Sequence, residues 1–234
     1  MKRGYHEASG QRVGLGFFRI GEQAKASMGR KAVGFYWSLP VPWAGFTKLD
    51  RDIEIAAKQS RTIAYQRALV RDYARRQGMA LIHEEAFLEI KPDRGSEQIV
   101  PALEKATKLC RAQGAELLYV SFAGVQQWRN HHAMEHWLAQ ADIVPTAIEA
   151  EPILVEGKPF DPFAHFSDWR ERQTDWTEGK EERANKARDR ASELLLAGLK
   201  KPAVAQLLND EGLRSLTGKP WTADSLRKFL ATHD

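Results

Sequence analysis

The run Ala115-Glu116-Leu117-Leu118-Tyr119-Val120-Ser121-Phe122 decides the fold class. Its centre, Leu117 to Val120, is apolar without alternation, so a strand here must be covered on both faces, as in a parallel sheet between layers of helix. Working outward, further β-rich runs stand at Val33 to Leu39, Ala80 to Ile90 and Ile143 to Ile148. Between the four runs, residues recur at helical spacing: Ile63, Gln66, Leu69, Val70, Tyr73 and Ala74; then Leu103, Ala106 and Leu109; then Met134, Trp137 and Leu138. Strands alternating with helices of ten or more residues predict βαβ units. An α/β domain with a mainly parallel sheet flanked by helices is therefore expected over residues 32–150.

The composition changes on either side of that domain. Residues 1–31 scatter glycines among charges around one apolar patch, Val13, Leu15, Phe17, Phe18 and Ile20. They read as a basic arm whose patch could add an edge strand or dock on a partner. Residues 151–185 begin as a linker marked by Pro152, Gly157, Pro159 and Pro162. Phe163, Phe166, Trp169 and Trp176 follow at intervals of about three and seven, one apolar face of a long helix running toward Ala197. Such a face packs on its own domain or on a second subunit. Residues 186–234 read as three short helices, the layout of a small all-α helix-turn-helix domain. The first ends before Gly198, which suits a left-handed cap, and the second opens at Pro202 and presents Val204, Leu207 and Leu208. The third starts after Thr222 with Ala223, Leu226, Phe229 and Leu230 inward.

The chain has 234 residues, 43% hydrophobic and 28% charged, which supplies one ordinary core or two small ones and excludes a disordered polymer. A mean hydropathy of −0.50 and the lack of a long apolar run exclude a helical membrane span. The opening residues lack the apolar stretch of a secretory signal, so a cytoplasmic protein is expected. Cys110 is the single cysteine, so neither an internal disulfide nor a zinc site of paired cysteines can form. Net charge is +4, distributed as +5 over residues 1–31, −3 over 32–177 and +2 over 178–234. Basic ends on a neutral body suit contact with nucleic acid; a solvated basic tail is the plainer alternative.

The third short helix carries the strongest local signal. A recognition helix lies in the major groove, offering donors to base edges and positive charge to phosphates. Ser225, Arg227 and Lys228 fit that role, Arg214 and Lys219 in the preceding connector could hold the adjoining backbone, and Lys200 and Lys201 sit at the turn between the first two helices. The alternative is a helical bundle with an ordinary charged surface. His132-Ala-Met-Glu135-His136 matches the H-x-x-E-H pattern of inverted zinc proteases, but three histidines among six residues produce such matches by chance, and a solvated helix start is the better reading. Lys25 to Lys31 holds no Walker loop, and neither a cofactor nor a metal is assigned.

Two stretches together resemble the serine recombinases, the resolvase and invertase group with its large-recombinase branch. Residues 205–230, Ala-Gln-Leu-Leu-Asn-Asp-Glu-Gly-Leu-Arg-Ser-Leu-Thr-Gly-Lys-Pro-Trp-Thr-Ala-Asp-Ser-Leu-Arg-Lys-Phe-Leu, are similar to the family's "IA..LN..G..T..G..W....V...L" segment. Upstream, a first strand is followed by Gln66-Arg-Ala-Leu-Val-Arg-Asp-Tyr-Ala-Arg-Arg-Gln-Gly, like "Q...L..YA...G", then Val100-Pro-Ala-Leu, like "RP.L", then Gly114-Ala-Glu-Leu-Leu-Tyr-Val, like "GA..L.V". The resemblance implies a resolvase-like sheet and a family chemistry in which a serine hydroxyl attacks a DNA phosphodiester amid arginines. The family's first strand reads Y-x-R-V-S, where this chain has Tyr36-Trp37-Ser38-Leu39-Pro40. Proline stands at the nucleophile and serine at the arginine. Val100 replaces the arginine of "RP.L", and Ala123-Gly124-Val125-Gln126-Gln127, with Arg129 and Asn130 beyond, replaces "LDRL.R". Taking Ser38 as nucleophile supplies a hydroxyl but no neighbouring guanidinium.

The expectation is a sequence-specific binder of double-stranded DNA, a transcriptional regulator on a catalytically inactive recombinase fold, cytoplasmic and nucleoid-associated. It would act as a homodimer or higher homo-oligomer, with the α/β domain dimerising or meeting a protein partner and no membrane involved. The alternatives are a site-specific recombinase or nuclease with displaced catalytic groups, and an architectural or adaptor protein anchored to DNA by its C-terminus.

Overall fold

The computed structural model describes residues 29–90, 95–125, 131–143 and 145–232. The basic arm, up to residue 28, lies outside them. Strand β1, Lys31–Ser38, opens the domain. After a short 3-10 turn at Pro42–Ala44 come helices α1, Ile53–Gln59, and α2, Arg61–Arg76, then strand β2, Ala80–Leu88. Helix α3, Val100–Gln113, leads to β3, Ala115–Ser121, and α4, His132–Gln140, leads to β4, Pro145–Glu149. The four strands form one parallel sheet in the order β2-β1-β3-β4. This is the expected α/β architecture.

Local chemistry explains where the helices begin and end. The Asp52 side chain accepts from the amides of Glu54 and Ile55 to start α1, and Ser60 accepts from Ile63 to start α2. Helix α3 ends where Gly114 takes a left-handed φ of 59°, so β3 begins at the very next residue. Strand β1 is buried along its length from Ala32, with helices α2 and α3 packed against it. Ile63, Leu69, Val70, Leu103 and Ala106 meet Phe35, Leu117 and Leu118 in the core.

Residues 151–161 are more ordered than a linker. Strands β5, Ile153–Val155, and β6, Lys158–Phe160, pair antiparallel across Glu156-Gly157, both with positive φ (50° and 76°). A two-residue loop with both φ positive matches the right-handed twist of a hairpin; asparagine or aspartate usually fills the first position, so Glu156 gave no warning. The hairpin is pinned to α2, because Phe160 stacks on Tyr65 with ring centroids 4.4 Å apart, and the Tyr65 hydroxyl bonds both the carbonyl and the amide of Glu151.

Helix α5, Pro162–Glu178, and helix α6, Lys180–Leu196, are separated only at Gly179, where one long helix was expected. The aromatic face is turned inward: Phe166 is buried in the sheet domain's core, and Phe163 and Trp169 pack against that core. These three are therefore engaged by their own chain rather than left for a second subunit, because the hairpin returns α5 onto α2 and β3. Trp176 lies under the Arg183 guanidinium, 3.6 Å from the ring centroid. Helices α7, Lys201–Asp210, and α8, Ala223–Ala231, close with α6 around a second core of Ala187, Ala191, Val204, Leu208, Trp221, Leu226 and Phe229. Among the described residues no helix is long and apolar enough to cross a membrane.

Candidate functional site

The chain leaves β1 to build β2 on one side, then returns to build β3 on the other. Sequential connections diverge at this place, so a crevice opens beyond the carboxyl ends of β1 and β3, where open α/β sheets take their ligands. A cleft of about 340 Å³ occupies it. Trp37, Ser38 and Leu39 come from the end of β1, Phe122 from the end of β3, Ser60, Arg61 and Thr62 from the start of α2, and His165, Asp168, Trp169 and Arg172 from α5. The loop after β1 adds Trp43 and Phe46.

Ser38 and Ser60 are buried, their hydroxyls 3.2 Å apart. Gln66, also buried, donates from Nε2 to the Trp37 carbonyl (2.7 Å) and accepts at Oε1 from the Trp37 amide (3.2 Å), which ties the end of β1 to α2. One wall is aromatic, with Trp43 and Trp169 5.9 Å apart at 48°. His165 lies 3.2 Å from the Thr62 hydroxyl and packs on the rings of Phe160 and Phe166. Burial, reinforced by the Arg61 guanidinium, pushes its imidazole down to about 4, so the ring is neutral at physiological pH. Arg61 also lies over the Phe160 ring at 5.5 Å. Arg61 and Arg172 make no ion pair among the described residues, and Asp168 is the one carboxylate in the lining, so the cleft carries excess positive charge.

Tertiary structure thus brings two guanidiniums into the cleft that holds Ser38, although none adjoins it in sequence. The bonds of the Ser38 hydroxyl run to the Ser60 hydroxyl and the Leu39 carbonyl (3.4 Å), and the imidazole in the cleft bonds Thr62 instead. A base positioned to take a proton from Ser38 is not among those partners. Pro40 is buried, Val100 is half-buried at the start of α3, and Arg129 and Asn130 lie outside the described residues.

The seven residues singled out at the C-terminal end divide into three groups. Ser225 is committed to a capping box: its amide donates to the Thr222 hydroxyl (3.1 Å) and its own hydroxyl accepts from the Thr222 amide (2.9 Å). Arg227 and Lys228 are exposed, and both pair with Asp224, at 2.6 and 2.8 Å. Those two cations, Arg227 first, hold the Asp224 carboxyl at about 2. Lys200, Lys201, Arg214 and Lys219 make no ion pair among the described residues. Lys219, Ser225 and Lys228 line one shallow concavity between the connector and α8. Sequence reasoning missed Asp224 as the partner of both cations; its spacing of three and four residues from them was the available signal. In the same connector, Gly218 has φ 76° and abuts Pro42 of the sheet domain.

His132, Glu135 and His136 are exposed on α4, and His136 bonds Gln140 at 3.1 Å. Among the described residues no group of three metal-ligating side chains is assembled. Comparisons with family models, curated proteins and solved structures find no match to the chain.

Proposed function

We propose that this chain is a sequence-specific DNA-binding protein, a transcriptional regulator built on a catalytically silent, resolvase-like α/β fold whose C-terminal helices act as a helix-turn-helix. The observation that carries this reading is the separate apolar core of α6, α7 and α8, which holds α8 with Arg227 and Lys228 exposed. Lys200, Lys201, Arg214 and Lys219, without carboxylate partners among the described residues, supply the backbone-directed charge. A homodimer reading paired half-sites gains specificity from the fixed spacing. Because Asp224 pairs with both cations of α8, DNA must compete with it. Asp224→Asn is expected to strengthen binding to all sequences and to steepen its salt dependence.

Gel shifts over a salt series test this. Selective binding of one sequence over random duplex is expected, with Arg227→Ala relaxing base preference and Lys201→Ala weakening all sequences alike. Uniform affinity for every duplex, or no binding at low ionic strength, overturns it.

A second reading, a recombinase or nuclease with displaced groups, is favoured by one observation: Ser38 shares its cleft with Arg61 and Arg172. Supercoiled plasmid carrying a bound site, nicked with a phosphoserine adduct at Ser38, would establish that reading in place of the first.

A further inference from the structure

We propose that the cleft beyond β1 and β3 is a binding site for a small aromatic anion, a planar ring carrying a phosphate or carboxylate, with the ring against Trp43 and Trp169 and the anion on Arg61 and Arg172. The site stands independently of the DNA reading, since none of the C-terminal residues discussed above lines it.

Three properties converge on this class of ligand. The volume, about 340 Å³, is at the small end of the range for ligand pockets and suits a mononucleotide or a substituted aromatic acid. The aromatic wall joins Trp43 and Trp169, tilted at 48° to one another, an apolar surface against which a planar ring packs by offset or edge contact. The charge sits at the opening, where Arg61 and Arg172 are exposed, while the deeper Ser38 and Ser60 are neutral hydroxyls. Two guanidiniums from different helices can grip an oxyanion in a forked geometry that lysines would not supply. The start of α2 adds to this, since Ser60, Arg61 and Thr62 place the positive end of a sixteen-residue helix at the cleft. His165, neutral and bonded to the Thr62 hydroxyl, adds no third cation.

Isothermal titration of the full chain tests the proposal with four probes: adenosine 5′-monophosphate, 4-hydroxybenzoate, adenosine and inorganic phosphate. Saturable binding of at least one aromatic anion is expected, with adenosine and phosphate each at least about tenfold weaker than it. Which of the first two binds identifies the anion as phosphate or carboxylate. Arg61→Gln and Arg172→Gln, both at the exposed rim and checked for an unchanged circular dichroism spectrum, should each weaken that binding about tenfold. Arg227→Ala, which is not among the residues that line the cleft, should leave it unchanged. Adenosine binding as tightly as its monophosphate with 4-hydroxybenzoate silent, affinity indifferent to both glutamine substitutions, or no saturable binding by either aromatic anion overturns the proposal. Gel-shift behaviour is read separately, so failure here and failure of the DNA reading are distinguishable.

Discussion

Arg67 shows how much one side chain can organise. It is buried on α2 and bonds both the Glu84 carboxylate (3.0 Å) and that of Glu54 (2.8 Å), while the Tyr36 hydroxyl donates to Glu84 at 2.9 Å. Burial works against the charge on Glu84, but hydrogen bonds from Arg71, Arg67 and Tyr36 outweigh it and hold the carboxyl below its ordinary range. Arg67→Met would remove one of the three donors to Glu84, and a loss of about 2 kcal/mol is expected from urea unfolding. His165 makes a prediction about pH. Its folded pKa, about 4, is below the 6.5 of a free imidazole, so the unfolded chain takes the proton first. Stability should therefore fall as pH drops from 6.5 toward 4, by at most about 1.4 kcal/mol per pH unit from this group. In His165→Gln the melting temperature should vary less across that window; an unchanged profile would show that this imidazole is not the source.

At the scale of elements, β1 and α8 each depend on a local device. A Cβ on Gly34 would fall 2.5 Å from the Tyr36 hydroxyl oxygen, because residues two apart on a strand share a face. The glycine is what lets Tyr36 fold back and reach Glu84. Gly34→Ala should displace that ring and cost roughly 1–3 kcal/mol, with the Tyr36 environment changed in ultraviolet spectra. Helix α8 has nine residues, too few to persist without its cap and its core contacts. Thr222→Ala should cost about 1 kcal/mol and accelerate amide exchange in α8. Ser225→Ala should do the same, since its hydroxyl is already used by the capping box. A Ser225→Ala protein of full stability with altered base preference would instead assign that hydroxyl to recognition.

Among the described residues the molecule has two apolar cores with no residue in common, one around the parallel sheet and one joining α6, α7 and α8. Separate cores make separate cooperative units. Leu208, fully buried, belongs to the second, and Leu208→Ala should destabilise that unit by about 3 kcal/mol while amide protection in β1 and β3 is unchanged. Uniform loss of protection in both would show that the units unfold together. The close approach of Gly218 to Pro42 is where the connector of the second unit touches the loop beside the cleft. Alanine at 218 would need both a strained left-handed φ and room that Pro42 occupies.

Periodicity in the sequence was enough for the sheet. Leu117 to Val120 had to be covered on both faces, and the spacing of Ile63 to Ala74 and of Leu103 to Leu109 supplied the covering helices, because burying an apolar stripe is a local requirement written in local order. The hairpin was not legible, since Glu156-Gly157 carries only half of the usual turn signal. Nor was the cleft. Ser38, Arg61 and Arg172 are separated by 23 and 111 residues of chain, and no pattern connects them. They meet because the strand order turns at β1 and because Phe166 draws α5 onto the sheet domain, and only the folded arrangement of those elements could decide that.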